Sequence, residues 1–204
     1  MMRTLLAVDT SAGTSVAIVR GGVILAEKST DEIRRHAEVV GHMLAECLSE
    51  AGLTPADITD VVAGRGPGPF TGLRVGIAAA IAFAVGRGIP VHGIPSHDSV
   101  AWGEPGPCAV ITDARRREVA VTCFAGGGES QPVVGPLLAT EATLAELVDL
   151  AAYPERRASS ISAGRLALRA EHGLDRGENF ADCRALYLRA PDAVPSNGPK
   201  KVLG

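Results

Sequence analysis

The chain has 204 residues, a net charge of −3, 46% hydrophobic and 21% charged residues. That length fills one large domain or two small ones and can bury a sizeable core. The composition argues against disorder, and the charge argues against a chain that clamps nucleic acid over its whole surface, leaving room only for a local basic patch. Four cysteines, at 47, 108, 123 and 183, form no CxxC pair, which reads as reduced, mostly buried thiols in a cytoplasmic protein. The start, MMRTLLAVDT, reaches Asp9 after a short apolar run. That is too little for a secretory signal, and no stretch reads as long enough to span a bilayer.

TLLAV (Thr4–Val8) and SVAIV (Ser15–Val19) are apolar and rich in branched residues, with the turn formers DTSAGT between them. They predict a β-hairpin, and Gly21-Gly22 turns the chain into a third strand near Val23–Glu27. Val40, Met43, Leu44, Cys47, Leu48 and Ala51 recur at helical spacing before Gly52. DVVAG reads as a buried strand, and the glycine–proline loop within AGRGPGPFTGLRVG leads to a helix from about Gly72 to Val85. IPVHGI is a further strand. The second half repeats the order: CAVITD is a strand ending in Asp113, ARRR a turn, EVAVTCF a strand, AGGGE a glycine turn, and LAELVDLAAY a helix. This internal repeat predicts an α/β chain of two hairpin-plus-helix lobes, 1–98 and 99–204. SHDSVAWGEPGP (Ser96–Pro107) reads as the linker or tight turn between them.

The glycine–proline loop is tested first for phosphate binding. Gly66 to Gly72 has the wrong spacing for a Walker A loop, and Leu73 stands where lysine belongs. A dinucleotide fingerprint fails at Thr71, which is a candidate helix N-cap instead. Pro67 and Pro69 stiffen the backbone and lack N–H donors, so a rigid corner is favoured over a phosphate cradle. In the following helix Gly72, Gly76, Ala80 and Ala84 form one small-residue stripe, widened by Ala79. Small residues let two backbones approach closely. Leu73, Ile77, Ile81, Phe83 and Val85 make the rest apolar, so the helix should be covered on every side. The cover is either another chain or the rest of this one.

AVDTSAGTS resembles the first phosphate-binding turn of the actin, sugar kinase and Hsp70 superfold. There the turn's N–H groups face phosphate and the Asp organises Mg²⁺ through water. Asp9, Thr10 and Ser11 are therefore candidate phosphate-binding residues. The second hairpin departs from that pattern, since Arg115, Arg116 and Arg117 replace small residues, and ISAGRLALRA offers only one glycine for an adenosine loop. No metal set emerges. His36 and His42 sit roughly 240° apart around a helix, His92, His97 and His172 are scattered, and HxxxH, HExxH and clustered cysteines are missing. Nor is there a GxSxG elbow, so no nucleophile or other catalytic residue is assigned.

Together, LLAVDTSAGTSVAIV, GRGPGPFTGLRVGIAAA, ITDARRREV and LYLRAPDAVP resemble the TsaB (YeaZ) family, in order and over nearly the whole chain. Pro69 departs from the serine usual in that family. The resemblance implies a duplicated actin-like (ASKHA) fold with a reduced second lobe. It also implies a non-catalytic subunit that pairs with TsaD, lacks that subunit's metal-binding histidines, and is joined by the ATPase TsaE. The complex transfers a threonylcarbamoyl group to N6 of adenosine beside the tRNA anticodon. On this reading the partner surface is Val40, Met43, Leu44, Gly72, Arg74, Gly76, Ala79, Ala80, Phe83 and Ala84, and the same face forms a homodimer when TsaD is absent. No tightly bound cofactor is expected. ATP and Mg²⁺ serve the complex as a whole, contact with tRNA is indirect, and no membrane is involved. The alternatives are a free-standing ATPase or small-molecule kinase of the same superfold, and a peptidase.

Overall fold

Two sheets carry the chain in the computed structural model, which describes residues 2–32, 35–126 and 132–189. The first has the order β3-β2-β1-β4-β5, from β1 (Thr4–Asp9), β2 (Thr14–Arg20), β3 (Val23–Thr30), β4 (Asp60–Gly64) and β5 (Val91–Ile94). β1 pairs antiparallel with β2 and parallel with β4. Both faces of this sheet are covered, which is why its strands read as continuous apolar runs rather than alternating ones. Leu6, Val8, Val16 and Ile18 point to one side, under α1 (His36–Glu50) and α2 (Phe70–Arg87). Leu5, Ala7, Ala17 and Val19 point to the other, under α5 (Ala163–Asp175).

The second sheet repeats this plan with one strand fewer, β8-β7-β6-β9. Its strands are β6 (Cys108–Arg115), β7 (Glu118–Phe124), β8 (Pro132–Thr140) and β9 (Glu155–Arg157). β6 again pairs antiparallel with the next strand and parallel with the last. The duplicated, reduced second lobe is thus present. Two one-turn helices, α3 (Asp98–Ala101) and α4 (Leu144–Leu147), complete the described elements apart from a 3-10 turn at Pro55–Asp57.

Several sequence expectations need correction. LAELVDLAAY keeps only one helical turn. Val148 is extended, and the Asp149 carboxylate accepts from the N–H groups of Ala151 and Ala152, an alternative to the helical ladder that aspartate supplies well. α2 begins at Phe70 with Pro69 as its N-cap, so Thr71 lies inside the first turn and caps nothing. At 18 residues and mean hydropathy 1.4, α2 is also long and apolar enough to cross a membrane by length and composition alone. Its inner face, however, packs on β1 and β4 as a core helix does. The division at residue 98 does not hold for the layers, because α5 returns from the far end of the chain to cover the first sheet. Ser96–Ala101 is not a loose linker, since Ser96 to Ser99 and Ala101 are buried. Most of the AGGGE turn lies outside the described residues.

Candidate functional site

β1 ends at Asp9 and the turn after it carries Thr10 and Ser11; all three are buried, and Ser11, with Ala12 and Gly13, lines the cleft between the lobes. Asp9 Oδ1 accepts from the Ser11 N–H at 2.8 Å and the Ser11 hydroxyl at 2.6 Å, while Oδ2 accepts from the Ser96 hydroxyl. Ser96 Oγ in turn accepts from the Gly66 N–H at 2.9 Å. Burial pushes the Asp9 carboxyl above its ordinary range, and the bonds from Ser11 and Ser96 pull against that shift.

Thr10 explains the small-residue stripe. Its hydroxyl donates to the Gly72 carbonyl at 2.7 Å and accepts from the Gly76 N–H at 3.0 Å. Those two groups stand in the i, i+4 relation, so a side chain from β1's turn enters the hydrogen-bond ladder of α2. A Cβ on Gly72 would lie 2.7 Å from the Thr10 carbonyl oxygen, and one on Gly76 2.2 Å from its hydroxyl. The stripe Gly72, Gly76, Ala80 and Ala84 is therefore buried within this chain, as are Val40 and Met43 in the core beneath α1. These residues form no exposed partner surface. Of the expected contact residues, Leu44, Ala79 and Phe83 are half-buried and Arg74 is exposed. The outward stripe of α2 is Arg74, Ala78, Ile81 and Val85, the last 75% exposed.

Sequence reasoning missed the polar run Ser96-His97-Asp98, which fastens three parts of the fold. Ser96 holds Asp9. His97 sits between the hydroxyls of Thr122 and Thr112, each 2.9 Å from a ring nitrogen, and so pins the Ser96–Ala101 segment to the second sheet. Burial depresses its pKa to about 3, so the ring is neutral. Asp98 faces Arg169 of α5 at 4.0 Å and is raised by burial to about 7. Arg169 also pairs with Glu178 at 2.6 Å. The available signal was three adjacent polar residues directly after an apolar strand, which reads equally as a loop.

A cleft of about 350 Å³ lies over the Asp9 turn, reached by His36, Asp113 and Arg115. His36 bonds the Thr14 hydroxyl at 2.7 Å, and burial, with Arg115 nearby, lowers its pKa. The other histidines stand apart. His92 pairs with Asp60 at 2.8 Å and His42 with Glu46 at 3.1 Å. Among the described residues no three His, Cys, Asp or Glu side chains are placed to share a metal ion. The terminal segment 178–189 crosses the first lobe: Gly93 N–H donates to Phe180 O and Leu186 N–H to Arg65 O. Tyr187 thereby reaches Phe70 and Arg74. The rest of LYLRAPDAVP, from residue 190, lies outside the described residues.

A family model described as TsaD, tRNA N6-adenosine threonylcarbamoyltransferase, matches residues 23–164. An uncharacterized protein of Mycobacterium tuberculosis is 39% identical over 202 residues, 94% of each chain. The tRNA threonylcarbamoyladenosine biosynthesis protein TsaB of Escherichia coli is 34% identical over 121 residues, covering 56% of this chain and 52% of its own. The solved structure of YeaZ from Pseudomonas aeruginosa matches with a TM-score of 0.75 and 26% identity, over 92% of this chain and all of that one.

Proposed function

The chain belongs to the TsaB (YeaZ) family of threonylcarbamoyladenosine biosynthesis proteins, and on that premise we propose that it is the non-catalytic partner subunit of TsaD. The observation that carries this reading is the outer face of α2. Ala78, Ile81, Ala82 and Val85 are exposed on a helix whose inner face is locked into the sheet. An apolar face of that kind calls for a cover, and a second helix pair from TsaD supplies one. The non-catalytic part of the reading is supported by the Asp9 turn. Its side chains already spend their hydrogen bonds inside the fold.

With the same proposal go a homodimer through this face when TsaD is absent, entry of TsaE into the assembly, and a cytoplasmic setting. This chain then holds no resident cofactor, ATP and Mg²⁺ serve the whole complex, and tRNA is contacted indirectly. Reconstitution tests it. TsaD, TsaE, a source of threonylcarbamoyl-adenylate and tRNA are combined with and without this chain, and modified adenosine is measured. Product should depend on the chain, with none formed by the chain alone. Full activity without it refutes the role.

A further inference from the structure

A cavity of about 480 Å³ lies on the α5 side of the first sheet, away from the Asp9 cleft and from the outer face of α2. Its walls are the end of α5, the two residues before β1's first lysine-free turn of chain, Met2 and Arg3, the β2–β3 turn and Trp102. Arg3 and Asp175 line it as an ion pair, so their charges cancel. Glu171 also lines it and is only 9% exposed. One of its carboxylate oxygens accepts from the Gly22 N–H at 2.8 Å, and no cation pairs with it among the described residues. Carboxylates this deeply buried are almost always paired, and a single neutral N–H leaves most of the acceptor capacity of a carboxylate unused.

The place of Glu171 in its helix sharpens the anomaly. It falls within the last five residues of α5, where the negative end of the helix dipole disfavours carboxylates and favours cations. Arg3 answers Asp175 there, and nothing among the described residues answers Glu171. His172, the basic residue of the last turn, stands against Trp102 instead, with ring centres 6.2 Å apart. Trp102 is the only tryptophan of the chain, and it is left half-buried at the cavity. Its backbone is fastened, since its N–H donates to the Asp98 carbonyl at 2.8 Å and its carbonyl accepts from Arg165. An indole face is the strongest aromatic partner for a cation. Half-buried Leu168 and exposed Met2 add an apolar, adaptable stretch of wall.

We infer that this cavity binds an alkylammonium ion, its charged head between the Glu171 carboxylate and the Trp102 ring and its chain along Leu168 and Met2. An ammonium group brings the charge that Glu171 lacks and the donors that its free acceptor sites can take. The indole face holds the same charge from another side, and the apolar wall is matched by a hydrocarbon chain. A metal ion is the poorer fit, because no three His, Cys, Asp or Glu side chains gather to hold one among the described residues. The volume falls in the range of about 300–1,000 Å³ usual for small-molecule sites. The inference is independent of the partner role and describes an exchangeable ligand, not a held cofactor.

Titration of the full chain with hexylammonium, hexanol and hexanoate tests it, because the fluorescence of the only tryptophan reports directly on the site. Hexylammonium should change that emission saturably, with hexanol and hexanoate weaker by roughly tenfold or more. Glu171→Gln keeps an oxygen for the Gly22 N–H and removes the charge. It should weaken hexylammonium by roughly tenfold or more and leave hexanol within about twofold. Trp102→Leu, followed by calorimetry, should weaken hexylammonium by roughly fivefold or more. Glu146→Gln, at an exposed carboxylate of α4, should leave it within about twofold. The inference fails if hexylammonium does not bind at roughly 10 mM, or if hexanol or hexanoate binds as tightly. It fails equally if Glu171→Gln binds hexylammonium as the native chain does, or if a lysine-containing peptide binds far more tightly through Glu171, which would make the cavity a docking point for protein.

Discussion

Replacing Gly76 with alanine bears directly on the Thr10 insertion. The new Cβ would stand 2.2 Å from the Thr10 hydroxyl oxygen and 3.1 Å from its methyl carbon. The hydroxyl must retreat by about 1 Å to restore ordinary contact, and Thr10, 1% exposed, has little room. Overpacking of this kind costs about 1–3 kcal/mol, and the two displaced hydrogen bonds add roughly 1 kcal/mol each. Alanine in place of a mid-helix glycine returns about 1 kcal/mol. The expected net loss is about 3 kcal/mol, or about 6–12 °C in Tm for a domain of this size. In a Thr10→Ala background the hydroxyl and methyl are gone and only a 3.2 Å contact with the remaining Cβ is left, so the same substitution should cost far less and fall within about 1 kcal/mol of neutral. Urea unfolding of the four proteins of this cycle, compared at a common m-value, gives the coupling directly. An equal cost of Gly76→Ala in both backgrounds would refute the account of the stripe.

Val85→Asp alters the opposite face of the same helix. It should change the stability of the isolated chain by no more than about 0.5 kcal/mol while weakening TsaD binding by about 30-fold or more, from lost burial of one apolar side chain and desolvation of a charge. Unaltered affinity by surface plasmon resonance would move the interface elsewhere, and sedimentation equilibrium should show loss of any homodimer in the same variant. His97 and Asp98 set opposing pH dependences. Folded His97 stays neutral down to about pH 3, whereas the unfolded ring takes up a proton near pH 6.5. Acidification below that point therefore removes stability at about 1.4 kcal/mol per pH unit. Folded Asp98 binds its proton near pH 7 and the unfolded carboxyl only near 3.9, so acidification between those values adds stability. His97→Gln leaves the Asp98 limb unopposed, and its stability relative to the native chain should climb by about 3 kcal/mol between pH 6.5 and 4. A parallel pair of stability–pH curves would contradict the neutral, buried imidazole.

β1, β2, β4, β6 and β7 were legible because burial on both faces leaves apolar runs that end at glycine or turn-forming residues, whereas the exposed, three-residue β9 leaves no such run. The duplication was legible because each run ends in an aspartate followed by a hairpin. β8 escaped notice since Pro132, Gly135 and Pro136 read as loop, and only an exposed edge strand tolerates them. α5 had a readable signal: Ala163, Leu166, Ala167 and Ala170 recur at helical spacing behind Ser162, whose hydroxyl accepts from Arg165 N–H at 3.0 Å. Periodicity also identified the small residues of α2, but it cannot say what enters the groove they make. Thr10 is distant in sequence, and only the packing of β1 against α2 brings it there. The same limit hid the meeting of Tyr187 with Phe70 and Arg74.

The contacts of the Asp9 turn bear on catalysis as well as on folding. A turn that holds phosphate in a working nucleotide hydrolase must keep its donors and its carboxylate available to ligand and metal. Here the Asp9 carboxylate accepts three hydrogen bonds, and the Thr10 hydroxyl is engaged as donor and acceptor at once. Freeing them for a ligand would break several buried bonds, each worth roughly 1–3 kcal/mol once a partner is left unsatisfied, and would open α2 at its third and seventh residues. The turn therefore acts as a fastener between β1, α2 and the Ser96–Ala101 segment. The isolated chain should accordingly show no ATP hydrolysis. Turnover that survives rigorous purification and disappears in Asp9→Ala, with the variant still folded by circular dichroism, would mean that the turn opens in solution and that the fastener reading is wrong.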